Sequence, residues 1–238
     1  MRPRPTTARP QPTRSPGLLA TIAVLALLGA SCVATPGPHQ GWAKYTIAPG
    51  SHSASVDTNG AAASPIAGFT SVAGRDFRFF FDSSAKYVIT NPTQPNDQFD
   101  YNKLPGFSDC GTVDLSQNGA MFGWRWRLDT SPKRLEIVQY ANNNGTHLYP
   151  STPLLSLSQA EVDGEHPLSY SVRIGGANNS KYLFRVSGTL PGRTVDVSAE
   201  LPRQCPSTST TATKWASGFY FGGTSTAPST ITGWIQEG

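Results

Sequence analysis

Charge is scarce in this chain. Of 238 residues only 14% are Asp, Glu, Lys or Arg, against about 25% in an ordinary globular domain. The formal charge of +4 is also confined to one end. Arg2, Arg4, Arg9 and Arg14 precede the first apolar run, and no acidic residue occurs before Asp57. Removing those four from the 19 basic residues leaves 15, against 15 acidic ones. A neutral domain has no electrostatic footprint for a phosphate backbone or an anionic membrane. Nucleic acid is therefore excluded as a partner, and a membrane is reached only through the N-terminal signal or a lipid anchor. Histidine is equally sparse: His39, His52, His147 and His166 are scattered, and none is paired at metal-ligand spacing. With no nucleophile-elbow Ser or Cys to serve, they read as loop residues. No metal and no cofactor is expected. The chain also lacks an internal repeat, an amphipathic helical stretch, and any apolar run of the ~20 residues that would span a bilayer.

What is present is turn formers and aromatics. There are 23 glycines and 20 prolines, and aromatics reach 10%, too many for a disordered chain. Residues 1–16 are basic and Pro-rich, and residues 17–30 (GLLATIAVLALLGA) are an apolar run followed by small residues. Together they predict a bacterial-style export signal over residues 1–32. Gly29-Ala30-Ser31-Cys32 resembles a lipobox, which would make Cys32 a lipidated first residue, although Leu28 lies one position too far upstream. The competing cleavage site follows Ala34. Residues 33–41 read as a flexible tether and residues 42–238 as one domain.

Three cysteines are an odd count, but either cleavage route removes Cys32 from play. Cys110 and Cys205 remain, and a disulfide between them is expected in an oxidising compartment.

From residue 42 the chain reads as about eleven short strands. In RDFRFFFD, Phe77, Phe79 and Phe81 share one face and Arg78 the other. KYVIT follows, and residues 91–119 read as a long loop holding Cys110. In MFGWRWRL, Phe122, Trp124, Trp126 and Leu128 oppose Gly123, Arg125 and Arg127. A four-residue turn to RLEIVQY pairs Trp126 with Leu135 and Arg125 with Glu136; a six-residue turn pairs Arg127 with Glu136. Further strands lie near TPLLSLS, LSYSVRIG, KYLFRVSG, RTVDVSAEL, SGFYFGG and STITGWIQ, with GGANNS as a hairpin turn. The expected class is all-β, an antiparallel β-sandwich of jelly-roll type.

Two resemblances attach to these strings. His166, Tyr170 and Ile174 lead into a hairpin and a strand ending in Ser-Gly. This resembles the middle of a concanavalin-type lectin or glucanase jelly roll, over about 35 residues, and implies that fold and a carbohydrate ligand. FDSSAKY, NKLPGFSDCG, FGWRW and FGGTSTAP resemble strings in a group of exported bacterial proteins to which no activity is attached.

Four constellations bear on chemistry. Glu161-Val162-Asp163-Gly164-Glu165 has the E-x-D-x-E spacing of laminarinase-type hydrolases. Gly164 and the following His-Pro instead make it an acidic turn. Arg125, Arg127, Gln139, Tyr140 and His147 are residue types that jelly-roll polysaccharide lyases use, but Gln139 faces the Trp side of its strand and Tyr140 the Arg side. Asp97, Asp100 and Asn102 are close oxygen ligands that match no EF-hand and read as a polar loop. Trp124, Trp126, Tyr140, Tyr220 and Trp234 could stack on sugars, but the first two alternate with arginines and belong to a core. The opposite face, with Arg78, Arg125, Arg127, Glu136 and Tyr140, is the candidate ligand groove. The sequence thus suggests a non-catalytic glycan-binding surface protein. The alternatives are a polysaccharide-degrading lyase or glycoside hydrolase on the same fold, and a structural or partner-binding envelope protein.

Overall fold

A computed structural model describes residues 39–59, 68–70, 73–205 and 214–237. The expected export signal, Cys32 and most of the expected tether lie outside the described residues. The strands are β1 (Ala43–Ile47), β2 (Ala54–Asp57), β3 (Gly68–Thr70), β4 (Gly74–Phe81), β5 (Asn102–Ser108), β6 (Asn118–Arg127), β7 (Arg134–Asn143), β8 (Thr146–Leu148) and β9 (Leu155–Ser158). After a short helix α1 (Gln159–Asp163) come β10 (Leu168–Gly175), β11 (Lys181–Leu190), β12 (Arg193–Pro202), β13 (Lys214–Ser217) and β14 (Ile231–Glu237).

Two antiparallel sheets form a β-sandwich. One runs β12-β11-β10-β4-β14-β1-β2. The other runs β3-β13-β5-β6-β7, with β8 and β9 pairing successive stretches of β7. The two-residue side-chain period of a strand decides what the core receives. Phe77, Phe79 and Phe81 enter it from β4 and Phe122, Trp124 and Trp126 from β6, each no more than 2% exposed. Tyr170, Tyr182 and Phe184 join them. The rings interlock across the sheets at centroid separations of 5.0 Å for Phe81–Trp124 and 5.2 Å for Phe122–Tyr170. At ~25 cal/mol per Å² and 150–250 Å² per ring, each aromatic contributes several kcal/mol through burial.

The β6–β7 register is the one that pairs Trp126 with Leu135 and Arg125 with Glu136. Cys110 and Cys205 form a disulfide with a Cα–Cα distance of 5.6 Å, bridging a sequence separation of 95. Such a bond fits an oxidising compartment.

Several local expectations are corrected. Residues 91–119 are not one loop, because β5 lies inside them and pairs both β6 and β13. Its register shifts between Lys103 and Gly106, a bulge that spoils the alternation. Gly106 is required there: a Cβ would fall 2.2 Å from the Ala120 carbonyl oxygen. KYVIT joins no sheet, since the Gln98 side chain takes the place of a neighbouring strand. Its Oε1 accepts from Ile89 N at 2.8 Å and its Nε2 donates to the Tyr87 carbonyl at 3.4 Å. Of SGFYFGG only Ser217 lies in a strand, as the end of β13; Phe219 and Phe221 are buried and Tyr220 makes isolated bridges. β2, β3, β8 and all of β13 but Ser217 arise where no strand was expected. The acidic turn is α1, started by a capping box: Ser158 caps Glu161 N, and the Glu161 carboxylate accepts from Ser158 N at 2.7 Å.

Candidate functional site

The outward face of the β5-β6-β7 sheet is also buried over much of its area. Met121 on β6, Val138 and Tyr140 on β7, and Tyr101 beside β5 form a second apolar cluster, with Leu115 packed against it. Residues 217–223 run alongside β5, bridging Lys103 on one side and Ser53 on the other through Tyr220; a Cβ on Gly222 would fall 2.1 Å from the Tyr101 carbonyl oxygen. Between these segments and β2 opens a cleft of about 680 Å³. Its polar and aromatic lining includes Asp100, Tyr101, Lys103, Tyr140, Asn142, His147, Tyr149 and Tyr220.

Lys103 is anchored by its backbone, which exchanges hydrogen bonds with Tyr220 at 2.8 and 3.0 Å. Its Nζ donates to the Tyr101 carbonyl and lies 4.5 Å from the centre of the Tyr140 ring. Burial pulls the ammonium down to about 8, with the Asp100 carboxylate acting in the opposite sense. Burial raises Asp100 too, and the charge of Asp97 adds to this. Tyr140 stacks on Tyr149 at 5.3 Å, and Tyr149 meets Tyr101 edge-on at 5.0 Å. Burial lifts the Tyr140 phenol well above the usual tyrosine range, and no hydrogen bond offsets it. The phenol is therefore protonated at neutral pH. His147 reaches Asn142 Oδ1 through Nδ1 at 2.6 Å, and Asn142 Nδ2 donates to the Leu115 carbonyl at 2.7 Å.

The residues singled out by sequence fall in three places. Tyr140 lines the cleft. Arg125, Arg127 and Glu136 form an ion cluster on the same sheet face, with Glu136 Oε2 accepting from Arg125 at 2.9 and 3.0 Å and from Arg127 at 3.0 Å. Arg134 adds a third guanidinium at 3.4 Å. The carboxylate is 2% exposed. This cluster borders the cleft rather than lining it, and its link is Arg125, which lies 4.2 Å over the Tyr101 ring. Arg78 is on the other sheet, 5.1 Å over Trp42 and bonded to Gln236 at 3.3 Å. The five therefore do not share one groove, because β4 and the β6–β7 pair belong to different sheets.

The remaining candidates resolve similarly. Trp124 and Trp126 are core, while Tyr220 is a cleft residue and Trp234 belongs to the β4–β14 side. Gln139 is outside the cleft, while His147 is inside it. The Asp97 carboxylate accepts from Thr224 Oγ1 at 2.9 Å, from Ser225 and from Gln94 N at 2.9 Å. Asn102 turns into the core, donating to Tyr87 at 2.9 Å and accepting from Gly222 N at 2.8 Å. These oxygens serve the fold and do not converge on a cation.

Lys103, Tyr101, Asn142 and Tyr149 were missed as site residues, and Asp100 was singled out only as a possible cation ligand. Lys103 sat inside the supposed loop, hidden by the bulge. Asn142 had a readable signal: Asn144-Gly145 is a strong two-residue hairpin turn, and a hairpin there sets His147 opposite Asn142, as observed.

No protein-family profile matches the chain, and no curated protein matches it in sequence. Among solved structures it is similar to a marine PL-14 alginate lyase from Aplysia kurodai, at 12% identity and a TM-score of 0.40, over 82% of this chain and 80% of that one. It is also similar to a double mutant of the alginate lyase Aly36B in complex with alginate tetrasaccharide, at 11% identity and a TM-score of 0.40, over 82% of this chain and 78% of that one.

Proposed function

We propose that this is an exported protein that binds an acidic polysaccharide in the cleft and cleaves it by β-elimination. The observation that carries the reading is the convergence of Lys103, Tyr140 and His147 in one aromatic cleft. Tyrosine faces suit the apolar faces of pyranose rings, and a single cation among them suits a sugar that carries one carboxylate. The Lys103 ammonium neutralises the uronate carboxylate, which makes the adjacent C5–H acidic. The His147 imidazole accepts that proton, a C4–C5 double bond forms, and the C4–O glycosidic bond breaks. The protonated Tyr140 phenol supplies the proton to the departing oxygen. No water is consumed, and the proton on His147 returns to Tyr140 through solvent.

A second reading, binding without cleavage, is favoured by the exposed rings of Tyr149 and Tyr220 in the cleft lining, which offer faces for sugar stacking. One experiment separates the two. The protein is incubated with polyuronates, alginate and polygalacturonate among them, and the near-ultraviolet absorbance of the unsaturated product is followed beside a binding measurement. Product from at least one polymer, abolished by Lys103→Ala, supports the lyase. Binding without product supports the second reading, and silence in both measurements sinks both.

A further inference from the structure

We propose that Asn142 is a positioning residue. It holds the His147 imidazole in the tautomer protonated at Nδ1 and so leaves Nε2 as the acceptor nitrogen in the cleft. The assignment of a tautomer rests on geometry alone; only the catalytic use of Nε2 rests on the function proposed above.

The argument begins at the β7–β8 turn. Asn144 and Gly145 both adopt left-handed backbone, with φ of 50° and 77°, which tightens the hairpin and places His147 directly across from Asn142. Asn142 is only 4% exposed, so both ends of its amide need partners. A backbone carbonyl can only accept, so the group 2.7 Å from the Leu115 oxygen must be the amide NH₂. The amide oxygen is thereby turned to His147, and it too can only accept. A contact of 2.6 Å to His147 Nδ1 then requires a hydrogen on Nδ1. In the neutral ring the lone pair is on Nε2, which has no hydrogen-bond partner among the described residues.

The clamp has a firm base. Leu115 sits in a turn closed by the bond from Ser116 N to Asp114 Oδ1 at 2.9 Å and from Gln117 N to the Asp114 carbonyl at 3.1 Å. Gly145 N donates to the Gln117 carbonyl at 2.9 Å, which ties that turn to the β7–β8 hairpin itself. The ring lies beside Tyr140, at a centroid separation of 5.9 Å. That phenol is protonated and uncharged.

The test uses the full chain labelled with ¹⁵N-histidine. Long-range proton–nitrogen correlation at mildly alkaline pH distinguishes the two neutral tautomers, and loss of a cross-peak set in His147→Gln assigns the ring. The wild type is expected to show Nδ1–H for His147. Asn142→Asp keeps an acceptor at Nδ1 and is expected to keep that form. Asn142→Leu removes the acceptor and is expected to return the ring to the Nε2–H form that free imidazole side chains favour. A wild-type ring in the Nε2–H form, or an Asn142→Leu ring unchanged from wild type, overturns the proposal. Should Asn142→Leu not fold, the wild-type and Asn142→Asp spectra decide. Where a polyuronate is cleaved, Asn142→Leu is expected to lower kcat at least about 10-fold with KM little changed. A chain that cleaves nothing but shows the Nδ1–H ring refutes the lyase and leaves the tautomer assignment standing.

Discussion

The Lys103 ammonium lies 4.5 Å from the centre of the Tyr140 ring, inside the cleft and donating to the Tyr101 carbonyl. A cation held there is partly stripped of water, which is why burial brings it down to about 8. Ligand capture that depends on this charge weakens as pH rises through about 8. Affinity for a cleft ligand, measured across that range, should fall in the wild type; Lys103→Gln should show weak binding with no such fall.

The same group leaves a stability signature of definite sign. Its folded value, about 8, lies below the unfolded value of 10.5. Between the two the unfolded chain holds the extra proton, so the Lys103 contribution makes the fold more stable as pH rises through that window. Urea midpoints of wild type and Lys103→Met over that interval should diverge, with the wild type gaining on the variant as pH increases.

Tyr140→Phe keeps the ring against Tyr149 and Lys103 and removes the hydroxyl. Elimination should fall by about 10²–10⁴-fold, the usual range for loss of a general acid. Binding of an uncleaved oligomer, measured calorimetrically, should change only a few-fold.

Glu136, 2% exposed, pairs with Arg125, Arg127 and Arg134, and Asp129 is a second partner of Arg127. Glu136→Ala removes the carboxylate partner of Arg125, over the Tyr101 ring, while Arg127 keeps Asp129, and should cost about 3 kcal/mol. Arg78→Ala, on an exposed face of the other sheet, should stay within about 0.5 kcal/mol. Denaturant unfolding of both variants checks the contrast between a structural ion cluster and a solvated one.

Removing the Cys110–Cys205 bond frees a long chain segment in the unfolded state. The double variant Cys110→Ser/Cys205→Ser should lose at most about 4–5 kcal/mol. Chemical unfolding of the two forms under non-reducing conditions measures it directly.

The Trp124–Trp126 strand was legible because alternation along a strand is a local property. A two-residue period sends every second side chain to the core whatever the rest of the molecule does. The β6–β7 register was half legible: apolar and ionic pairings left two turn lengths open, and the folded strands adopt Trp126 opposite Leu135. Lys103 was not legible. Its strand is interrupted by Pro105 and Gly106, and its backbone is completed by Tyr220, far along the chain. The acidic Glu161 segment misled in a different way. The spacing suits a strand, but Ser158 and Glu161 close a helix cap first.

The sequence by itself determined the all-β class, the aromatic core, the pairing of Cys110 with Cys205 and the neutrality of the domain, because periodicity, cysteine count and charge balance need no partner strand to be read. Tertiary structure alone decided the cleft. It exists where residues 217–223 and β2 line one side and the outward side chains of β5, β6 and β7 the other. Which side chains meet there depends on contacts between segments far apart in the chain. That long-range geometry, and the burial that shifts Lys103 and Tyr140, is absent from any local pattern. It is also why the arginines that stood out in the sequence border the cleft or lie on the other sheet, while a lysine in a supposed loop lies inside it.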